Sequence, residues 1–471
     1  MPRQVPDDGL VLVVQRDCRA CGLVLDELPG WLADQPQLAV VSQDAGYPPD
    51  LDSLTDTDLE ASRRLAVEGT PALLHLRGGE VVDRVEGWHR DEWRRISRRP
   101  RLGEQLPEAY PGCASKVIDP ERPDSPVPLR ARRTDLGERE DPAEAAYALG
   151  WTDGLPVIPP TPERVERMLT GTSRQPNEVV ATMPPNFAKV TVEKAAINAV
   201  MAGCRPDYLP VVLAAVAAAA TDTFNIHGVA ATTHFVGPVV VVNGPIATAI
   251  GMNGGGNALG PGNRANITIG RALNLIVANV GGARPGGIDR STLGSPGKLS
   301  FCFAEEEAGS PWEPLAVERG VPPGRSAVTL FAGVGPQPVV DQRSRTPESL
   351  AASLALSLRT VGHAKLAGRT DALVVIAPEH AAVFARAGWD KATLRRELLD
   401  LLTVPGAEWV AGADGIAEGL PPAAADHAVS KFRPDGLWFV HAGSSAGLHS
   451  AIIGGWVSGA AGSDMTTVEV E

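Results

Sequence analysis

The chain has 471 residues, a length that predicts two or three domains at roughly 150 residues each. Hydrophobic residues make up 44% of it and charged residues 21%, a composition that argues against an intrinsically disordered or fibrous protein. The formal net charge of −13 disfavours nucleic acid or an anionic membrane as the main partner and favours a small-molecule ligand.

Hydropathy and cysteine content bear on the cellular compartment. The longest apolar stretch, Leu209 to Ala220, is shorter than the roughly 18 to 20 residues of a membrane span, and Met1 to Gly9 lacks the apolar run of a signal peptide. We therefore expect a cytoplasmic protein. Five cysteines are too few, and odd in number, for a disulfide framework, which leaves reactivity, metal ligation or burial as their roles.

The N-terminal region opens with a Val- and Leu-rich strand, Leu10 to Gln15, and the segment with Cys18 and Cys21 follows directly. A helix predicted over Leu23 to Leu32 places Cys18 at a helix N-terminus, where the dipole and free N–H groups lower a thiol pKa. We expect Cys18 to attack a disulfide and Cys21 to resolve the mixed disulfide. The alternative is that the two cysteines form half of a zinc site, but the sequence contains no second CxxC to complete it.

Strands and helices continue to alternate after this segment. The predicted elements are a strand at Leu38 to Ser42, a helix at Leu59 to Ala66, strands at Ala72 to Leu76 and Glu80 to Val85 joined by Gly78-Gly79, and a helix at Arg90 to Ser97. The strand–CxxC–helix order, Thr70-Pro71 before a strand, and the closing hairpin and helix together resemble the thioredoxin family over residues 8 to 98. The resemblance implies a thioredoxin-like domain over residues 1–100, a cis peptide bond before Pro71 and a redox-active dithiol. Arg19-Ala20 replaces the Gly-Pro of general thioredoxins, which leaves the redox potential and partner range open.

Residues 101–140 are rich in Pro, Arg, Asp and Glu and show no apolar period, which predicts an extended linker. The linker contains Cys113, directly after a glycine. Two interpretations stay open for this cysteine: an incidental exposed thiol, or a catalytic relay between the CxxC pair and the large domain.

A large catalytic domain is predicted over residues 141–471, with a division into two subdomains near residue 335 as an option. Its predicted helices are Pro162 to Leu169, Val192 to Met201, Pro210 to Ala220, Ile267 to Val280 and Lys391 to Leu402, and its predicted strands are Val239 to Val242, Leu299 to Phe303, Leu373 to Ala377 and Leu437 to Val440. The predicted fold class is therefore α/β: a thioredoxin-like N-terminal domain, a Pro- and charge-rich linker and a large α/β C-terminal domain.

An Asn- and Gly-rich loop precedes the fourth of these helices. Its glycines let backbone N–H groups approach a ligand, its asparagines add neutral donors, and its arginine offers a fork for a carboxylate or phosphate. The candidate substrate-binding residues of the loop are Asn253, Asn257, Asn263, Arg264 and Asn266. The loop matches neither common nucleotide-binding motif, and a structural turn is the alternative interpretation.

Further candidates surround this loop in the sequence. Cys204 or Cys302 would bond a substrate through sulfur, with Glu193 or His234 as the proton carrier. Lys298 and Glu305 are candidate substrate-binding residues, and the run Glu305 to Glu307 is either a solvated loop or a source of acid–base groups. Three histidines are candidates for lining a cleft: His380, His441 and His449. The alternative for each is a hydrogen-bonded core histidine or a surface histidine.

The large domain resembles the UGSC family, named for a selenocysteine-Gly-Ser-Cys motif, over most of residues 145 to 335. The resemblance rests on the segments WTDGLPVIPPT, TVEKAAINAVMAGCRPDYLPVV, ATTH, NGGGNALGPGNRANITIGRAL, GGARPG, FCFAEEE and SPWEPL. The motif itself does not occur, and the nearest string, HAGSSAG from His441, contains no sulfur. Because a thioredoxin-like domain is fused instead, we expect the large domain to receive a redox-active pair from Cys18 and Cys21.

Three functions follow as hypotheses. The first is a thiol-dependent redox or sulfur-handling enzyme that acts on a small, anionic metabolite, is served by a cellular thiol reductant or thioredoxin system, and needs no cofactor beyond its dithiol. The second is a metal-dependent lyase or hydrolase that uses some of His227, His234, Cys204, Cys302 and Glu305, although their spacing matches no known zinc set. The third is a non-catalytic redox sensor or metabolite-binding protein. Neither a nucleic acid nor a membrane is expected as a partner, and self-association into a homo-oligomer is left open.

Overall fold

The structure is a computed structural model that describes residues 5–34, 38–49, 51–110, 112–116, 129–137, 140–362, 366–410 and 422–471. The chain divides into two compact units, Met1–Pro159 and Pro160–Glu471. Both units combine helices with sheets, so the α/β fold class predicted from the sequence is confirmed. Among the described helices, none combines the length and the apolar character that crossing a bilayer requires.

The first unit contains short strands and four described helices. Its strands are β1 (Gly9–Val14), β2 (Ala39–Ser42), β3 (Leu54–Thr55), β4 (Gly69–Thr70), β5 (Ala72–Arg77), β6 (Glu80–Glu86), β7 (Trp88–His89), β8 (Ala109–Tyr110) and β9 (Cys113–Ala114). Its helices are α1 (Arg19–Asp34), α2 (Glu60–Arg64), α3 (Arg90–Ser97) and α4 (Pro142–Ala148).

A five-stranded mixed sheet forms the centre of the first unit, in the order β3-β2-β1-β5-β6. Strand β1 runs parallel to β2 and antiparallel to β5. Because side chains alternate along a strand, Leu12 and Val14 face one core with Trp31 and Trp93, while Val13 faces a second core on the other side of the sheet. The Thr70-Pro71 peptide bond is cis, as the family resemblance implies.

The described residues of the expected linker pack within the first unit. Strand β8 pairs with β7, and β9 pairs with β4. Leu102 and Cys113 belong to the same core as Trp93. The structure thus differs from the extended linker expected over residues 101–140. No local pattern predicts these strands, because each pairing is only two residues long and its partner is distant along the chain. Residues 111, 117–128 and 138–139 of the expected linker lie outside the described residues.

The second unit contains the remaining elements. Its strands are β10 (Val179–Met183), β11 (Ala188–Thr191), β12 (Gly237–Asn243), β13 (Cys302–Ala304), β14 (Ala327–Val340), β15 (Thr370–Ile376), β16 (Thr403–Pro405), β17 (Ala428–Ser430), β18 (Leu437–His441), β19 (His449–Val457) and β20 (Thr466–Glu469). Its helices are α5 (Pro162–Leu169), α6 (Val192–Ala202), α7 (Leu209–Ala219), α8 (Ile226–Ala231), α9 (Pro245–Ala249), α10 (Arg264–Asn279), α11 (Leu315–Glu318), α12 (Pro347–Leu358), α13 (Pro378–Arg386), α14 (Lys391–Leu401) and α15 (Gly406–Val410).

A seven-stranded sheet organises the second unit in the order β13-β12-β14-β19-β15-β18, with β20 paired to β14. Its two outer strands approach each other, since the backbone N–H of Glu306 donates to the carbonyl of His441 at 2.8 Å. One core collects side chains from β12, β13, β14, β19, β15 and β18, including Phe303 and Val440. The sheet therefore curls around a common interior in the manner of a barrel.

Helices cover the outer face of this sheet. Helices α12, α13 and α14 share a core with β15, β18 and β19, and α10 packs against β13. Strand β14 pairs with β12 before residue 335 and with β19 after it, so the sheet continues across the subdomain division expected there.

The contact between α10 and β13 generates a stability prediction. A Cβ on Gly270 would lie 2.5 Å from Ser300 Oγ and 3.0 Å from the backbone nitrogen of Phe301. We expect Gly270→Ala to lower the free energy of unfolding by about 1–3 kcal/mol, because the helix and strand must move apart. Gly335→Ala is the matched control, since nothing lies within 4 Å of its added Cβ. Equal denaturant midpoints for the two variants would contradict the close packing.

Candidate functional site

Cys18 and Cys21 lie at the start of α1, as predicted. Cys18 directly precedes the helix, and the backbone N–H of Cys21 donates to Cys18 Sγ at 3.3 Å. The Cys18 thiol can donate its proton to the Thr70 carbonyl, 3.2 Å away, or to the Cys21 sulfur. Cys18 is 3% exposed and Cys21 is fully buried, so the pair is closed to solvent in this structure.

Cys113 completes a cluster of three thiols, which we call the trithiol cluster: Cys18, Cys21 and Cys113. Strand β9 places Cys113 opposite Thr70, and the three cysteines belong to one buried core. Cys113 is 4% exposed, so it is not the exposed thiol that was one of its two interpretations, and its role as a relay stays a prediction.

The electrostatics of the cluster oppose the expected thiolate. The hydrogen bond from Cys113 lowers the pKa of Cys18, but the hydrogen bond to Cys21 and burial outweigh it and raise that pKa to about 12. The hydrogen bond to Cys18 and burial also raise the pKa of Cys113. The direction for Cys18 is opposite to the lowering predicted from the helix N-terminus, because the hydrogen bond to Cys21 and burial favour the protonated thiol.

Cys204 and Cys302 are buried beside α10 in the second unit. The Cys204 thiol donates to the Thr268 carbonyl at 3.3 Å, and burial raises the pKa of Cys204 to about 12. Burial and the neighbouring Cys204 raise the pKa of Cys302. The two thiols are buried, at 7% and 5% exposed, and the attack on a substrate expected of Cys204 or Cys302 stays a prediction.

The Asn- and Gly-rich loop uses its side chains to hold its own shape. Asn266 is 1% exposed; its Oδ1 accepts from the backbone of Asn253, and its Nδ2 donates to the carbonyls of Asn253 and Ala258. The Asn253 side chain donates to the Gly256 carbonyl and accepts from the backbone N–H of Gly255. These contacts favour the structural turn over the substrate-binding interpretation.

The other candidates of the loop have similar roles. Asn257 and Asn263 donate to carbonyls of the loop, and Asn263 also caps α10. Arg264 donates through Nε to the carbonyl of Gly203 at 2.9 Å, which ties the start of α10 to the end of α6. An anion would therefore meet a guanidinium that is already partly engaged.

A buried polar cluster lies where the outer strands of the larger sheet meet. The side-chain amide of Asn243, at the end of β12, donates to Glu305 Oε2 at 2.6 Å and to Glu307 Oε1 at 2.9 Å. The backbone N–H groups of Leu315 and His441 also donate to the Glu305 carboxyl, at 2.7 and 3.4 Å. Groups from three elements that are distant along the chain, β12, α11 and β18, thus converge on the Glu305 carboxyl. We call this group the seam cluster: Asn243, Glu305, Glu307 and His441.

The seam cluster contains polar atoms without a partner. Burial raises the pKa of Glu305, against the opposing charge of Lys391 and its hydrogen bonds. His441 Nδ1 lies 2.8 Å from the carbonyl of Glu306, and since a carbonyl only accepts, Nδ1 carries the proton and Nε2 keeps its lone pair. Among the described residues, His441 Nε2 and Asn243 Oδ1 are buried and have no hydrogen-bond partner.

The remaining candidates are separate features of the second unit. Glu193 is buried on α6. His234 is half-buried against Phe235, and burial lowers its pKa. Lys298 forms an ion pair with Asp289, with Nζ 2.7 Å from Oδ2. Within the described ranges, no group of three or more His, Cys, Asp or Glu residues is arranged to hold a metal ion.

The two other histidines differ in environment. His380 is buried; its Nδ1 lies 2.8 Å from Ser450 Oγ and its Nε2 lies 3.1 Å from the Asp341 carbonyl. Both ring nitrogens are hydrogen-bonded, which favours the alternative of a satisfied core histidine over a cleft role. His449 is exposed.

Asn243 is the residue that sequence reasoning missed. Its signal was present, since it is the first polar residue after four consecutive valines and precedes a Gly-Pro turn. A polar side chain at the end of a fully buried strand is a position where ligand-binding residues often lie.

Comparison with protein-family models, with curated proteins and with solved structures gives no match for this chain.

The trithiol cluster predicts opposite shifts for two substitutions. Cys113→Ala removes a donor to Cys18 and raises the pKa of Cys18, whereas Cys21→Ala removes the main raising neighbour and lowers it. In fully reduced protein, the alkylation of Cys18 at a fixed pH is expected to slow several-fold in the first variant and to accelerate several-fold in the second. Peptide mass spectrometry across a pH series measures both, with Cys204→Ala as the control. Unchanged profiles in both variants would show that Cys18 titrates independently of its neighbours.

Proposed function

We propose that this chain is a thiol-dependent redox enzyme whose first unit is a thioredoxin-like module. The observation that carries the proposal is the placement of Cys18 before α1, with its sulfur accepting the Cys21 backbone N–H. Helix N-termini stabilise the thiolate through which disulfide exchange proceeds. The strand order of the central sheet and the position of the CxxC segment between β1 and α1 support the assignment.

The proposed reaction proceeds in two exchange steps. The Cys18 sulfur attacks one sulfur of a substrate disulfide, and the other substrate sulfur leaves with the electron pair and takes a proton. Cys21 then attacks Cys18, which releases the second substrate thiol and leaves a Cys18–Cys21 disulfide in the enzyme. The substrate gains two electrons, and a cellular thiol reductant returns the enzyme disulfide to two thiols. A cytoplasmic setting suits this cycle, because thiols are kept reduced there.

The closed form of the trithiol cluster has a consequence for this cycle. With the pKa of Cys18 raised to about 12, the resting site holds very little thiolate at neutral pH. Because the three thiols are almost completely buried, a substrate must open the site to reach Cys18. We infer that exchange is slow in the resting form and speeds up when a substrate displaces the surrounding residues.

The redox proposal predicts distinct behaviour for two cysteine variants. Cys18→Ser should abolish reduction of a small peptide disulfide driven by dithiothreitol. The double variant Cys21→Ser, Cys113→Ser should accumulate an adduct of the substrate on Cys18, because no other thiol of the trithiol cluster is left to displace it. Adduct mass and substrate turnover in the full chain measure both outcomes, and Cys204→Ser is the thiol-matched control. Turnover that survives Cys18→Ser would refute the proposal and favour a binding protein.

A second proposal concerns the larger unit, in which the seam cluster is placed for proton transfer on a small metabolite. Glu305 holds its proton more tightly than an ordinary carboxyl, since its pKa is raised, and His441 Nε2 offers a buried lone pair. An acid and a base held by neighbouring loops are the elements of general acid–base catalysis. The proton-carrier roles expected for Glu193 and His234 stay predictions.

The proton-transfer proposal predicts the tautomer of His441. Nitrogen NMR of the imidazole groups should show the proton of His441 on Nδ1, because the Glu306 carbonyl accepts it. The variant His441→Gln identifies the resonance. Observation of the Nε2-protonated tautomer would remove the lone pair on which the proposal depends.

A further inference from the structure

The segment of residues 112–116 is bound along the edge of β4. Strand β9 pairs antiparallel with β4, with Gly69 opposite Ala114 and Thr70 opposite Cys113. The Ser115 N–H extends this pairing to the carbonyl of Glu68 at 2.7 Å. The segment therefore lies on the first unit as an added strand.

Side chains anchor both ends of the segment. Gln43 donates to Ser115 Oγ at 2.7 Å and accepts from the Lys116 N–H at 3.0 Å, and Lys116 Nζ lies 2.5 Å from Asp44 Oδ1. At the other end the backbone of Gly112 passes so close that a Cβ there would lie 2.9 Å from the Thr70 carbonyl. The placement of Cys113 is thus fixed from both sides.

This placement brings Cys113 and Cys18 to the same residue, Thr70, within one buried core. The Thr70 hydroxyl donates to the Cys113 carbonyl at 3.2 Å, and the Thr70 carbonyl lies 3.2 Å from the Cys18 sulfur. Both cysteines are thus held against Thr70, which places Cys113 beside the CxxC pair for exchange once one sulfur is oxidised.

We propose that Cys113 is a third reacting thiol, which exchanges with the Cys18–Cys21 disulfide to form a Cys18–Cys113 disulfide. This inference rests on the redox function proposed above. The Cys113 sulfur loses its proton and attacks Cys18, the bond between Cys18 and Cys21 breaks, and Cys21 leaves with the electron pair and takes up a proton. The number of disulfides is unchanged, so the step is an isomerisation that needs no oxidant or reductant.

The two isomers differ in what an outside partner can reach. In the Cys18–Cys21 form, the 112–116 segment is held by hydrogen bonds and one ion pair and can be displaced. In the Cys18–Cys113 form, the segment is covalently attached over the site, and the free thiol is Cys21, which is fully buried. The second isomer is therefore a closed oxidised form that protects Cys18 from external thiols.

Disulfide mapping in the full chain tests the inference. The reduced protein is oxidised with oxidised glutathione, quenched with acid, alkylated and digested, and the linked peptides are identified by mass spectrometry. We expect both linkages in the wild type, only Cys18–Cys113 in Cys21→Ser, and only Cys18–Cys21 in Cys113→Ser. A Cys21→Ser protein that carries glutathione on Cys18 and no internal linkage would overturn the inference.

The variants also separate this inference from the redox function. If Cys113→Ser forms the Cys18–Cys21 disulfide while Cys21→Ser forms no internal linkage, Cys113 is not a reacting thiol and the redox function stands. If Cys113→Ser forms no disulfide, the redox function itself fails, and the inference fails with it.

A pair of glycine variants tests the role of the bound segment without removing a thiol. Gly112→Ala should reduce the share of the Cys18–Cys113 linkage at least several-fold, because the added Cβ meets the Thr70 carbonyl. Gly30→Ala is the matched control, since nothing lies within 4 Å of its Cβ, and it should leave the share unchanged. An undiminished share in Gly112→Ala would show that strand pairing does not position Cys113, which contradicts the mechanism.

Discussion

The backbone pairing of Thr70 with Cys113 is the contact on which the chemistry of the first unit depends. Thr70 lies within hydrogen-bond distance of two cysteines at once: its carbonyl faces the Cys18 thiol and its hydroxyl donates to the Cys113 carbonyl. A segment that would otherwise leave the domain is thereby turned back over the CxxC pair. A two-cysteine site becomes a three-cysteine site, and each thiol becomes part of the electrostatic environment of the others. The closure also removes Cys18 from solvent, so reactivity and access are governed by the same short strand.

In the second unit, the corresponding constraint is the meeting of the two outer strands of the sheet. The hydrogen bonds between Glu306 and His441 bring the ends of β13 and β18 together. A carboxyl that would be hydrated in an ordinary loop is instead enclosed by Asn243, Leu315 and His441. Enclosure raises the pKa of Glu305, because the charged carboxylate loses its water, and the hydrogen bond to the Glu306 carbonyl fixes the tautomer of His441.

Much of the secondary structure was predictable from local pattern. The run of valines in β12, the amphipathic period of α14 and the whole of α3 carry signals that lie within one element. The position of Cys113 was not predictable, because the two-residue strand that holds it has no period and its partner lies more than forty residues away. The asparagines of the 251–266 loop looked like ligand donors because a sequence does not show which amides are already bound to backbone. Glu305 was found as a candidate, but its partners Asn243 and His441 come from strands that only the folded sheet brings together.

The closure of the larger sheet also orders events during synthesis of the chain. All the pairings of the first unit lie within the first 159 residues, so that unit can complete its sheet while the rest is still being made. Strands β12 and β14 emerge long before β18, β19 and β20, which complete the same sheet. Until those last segments leave the ribosome, the growing chain presents an unpaired strand edge with apolar side chains behind it, the kind of surface that chaperones bind and that promotes aggregation. The long separation between Glu306 and His441 therefore makes the larger unit the slow and vulnerable part of folding in the cell.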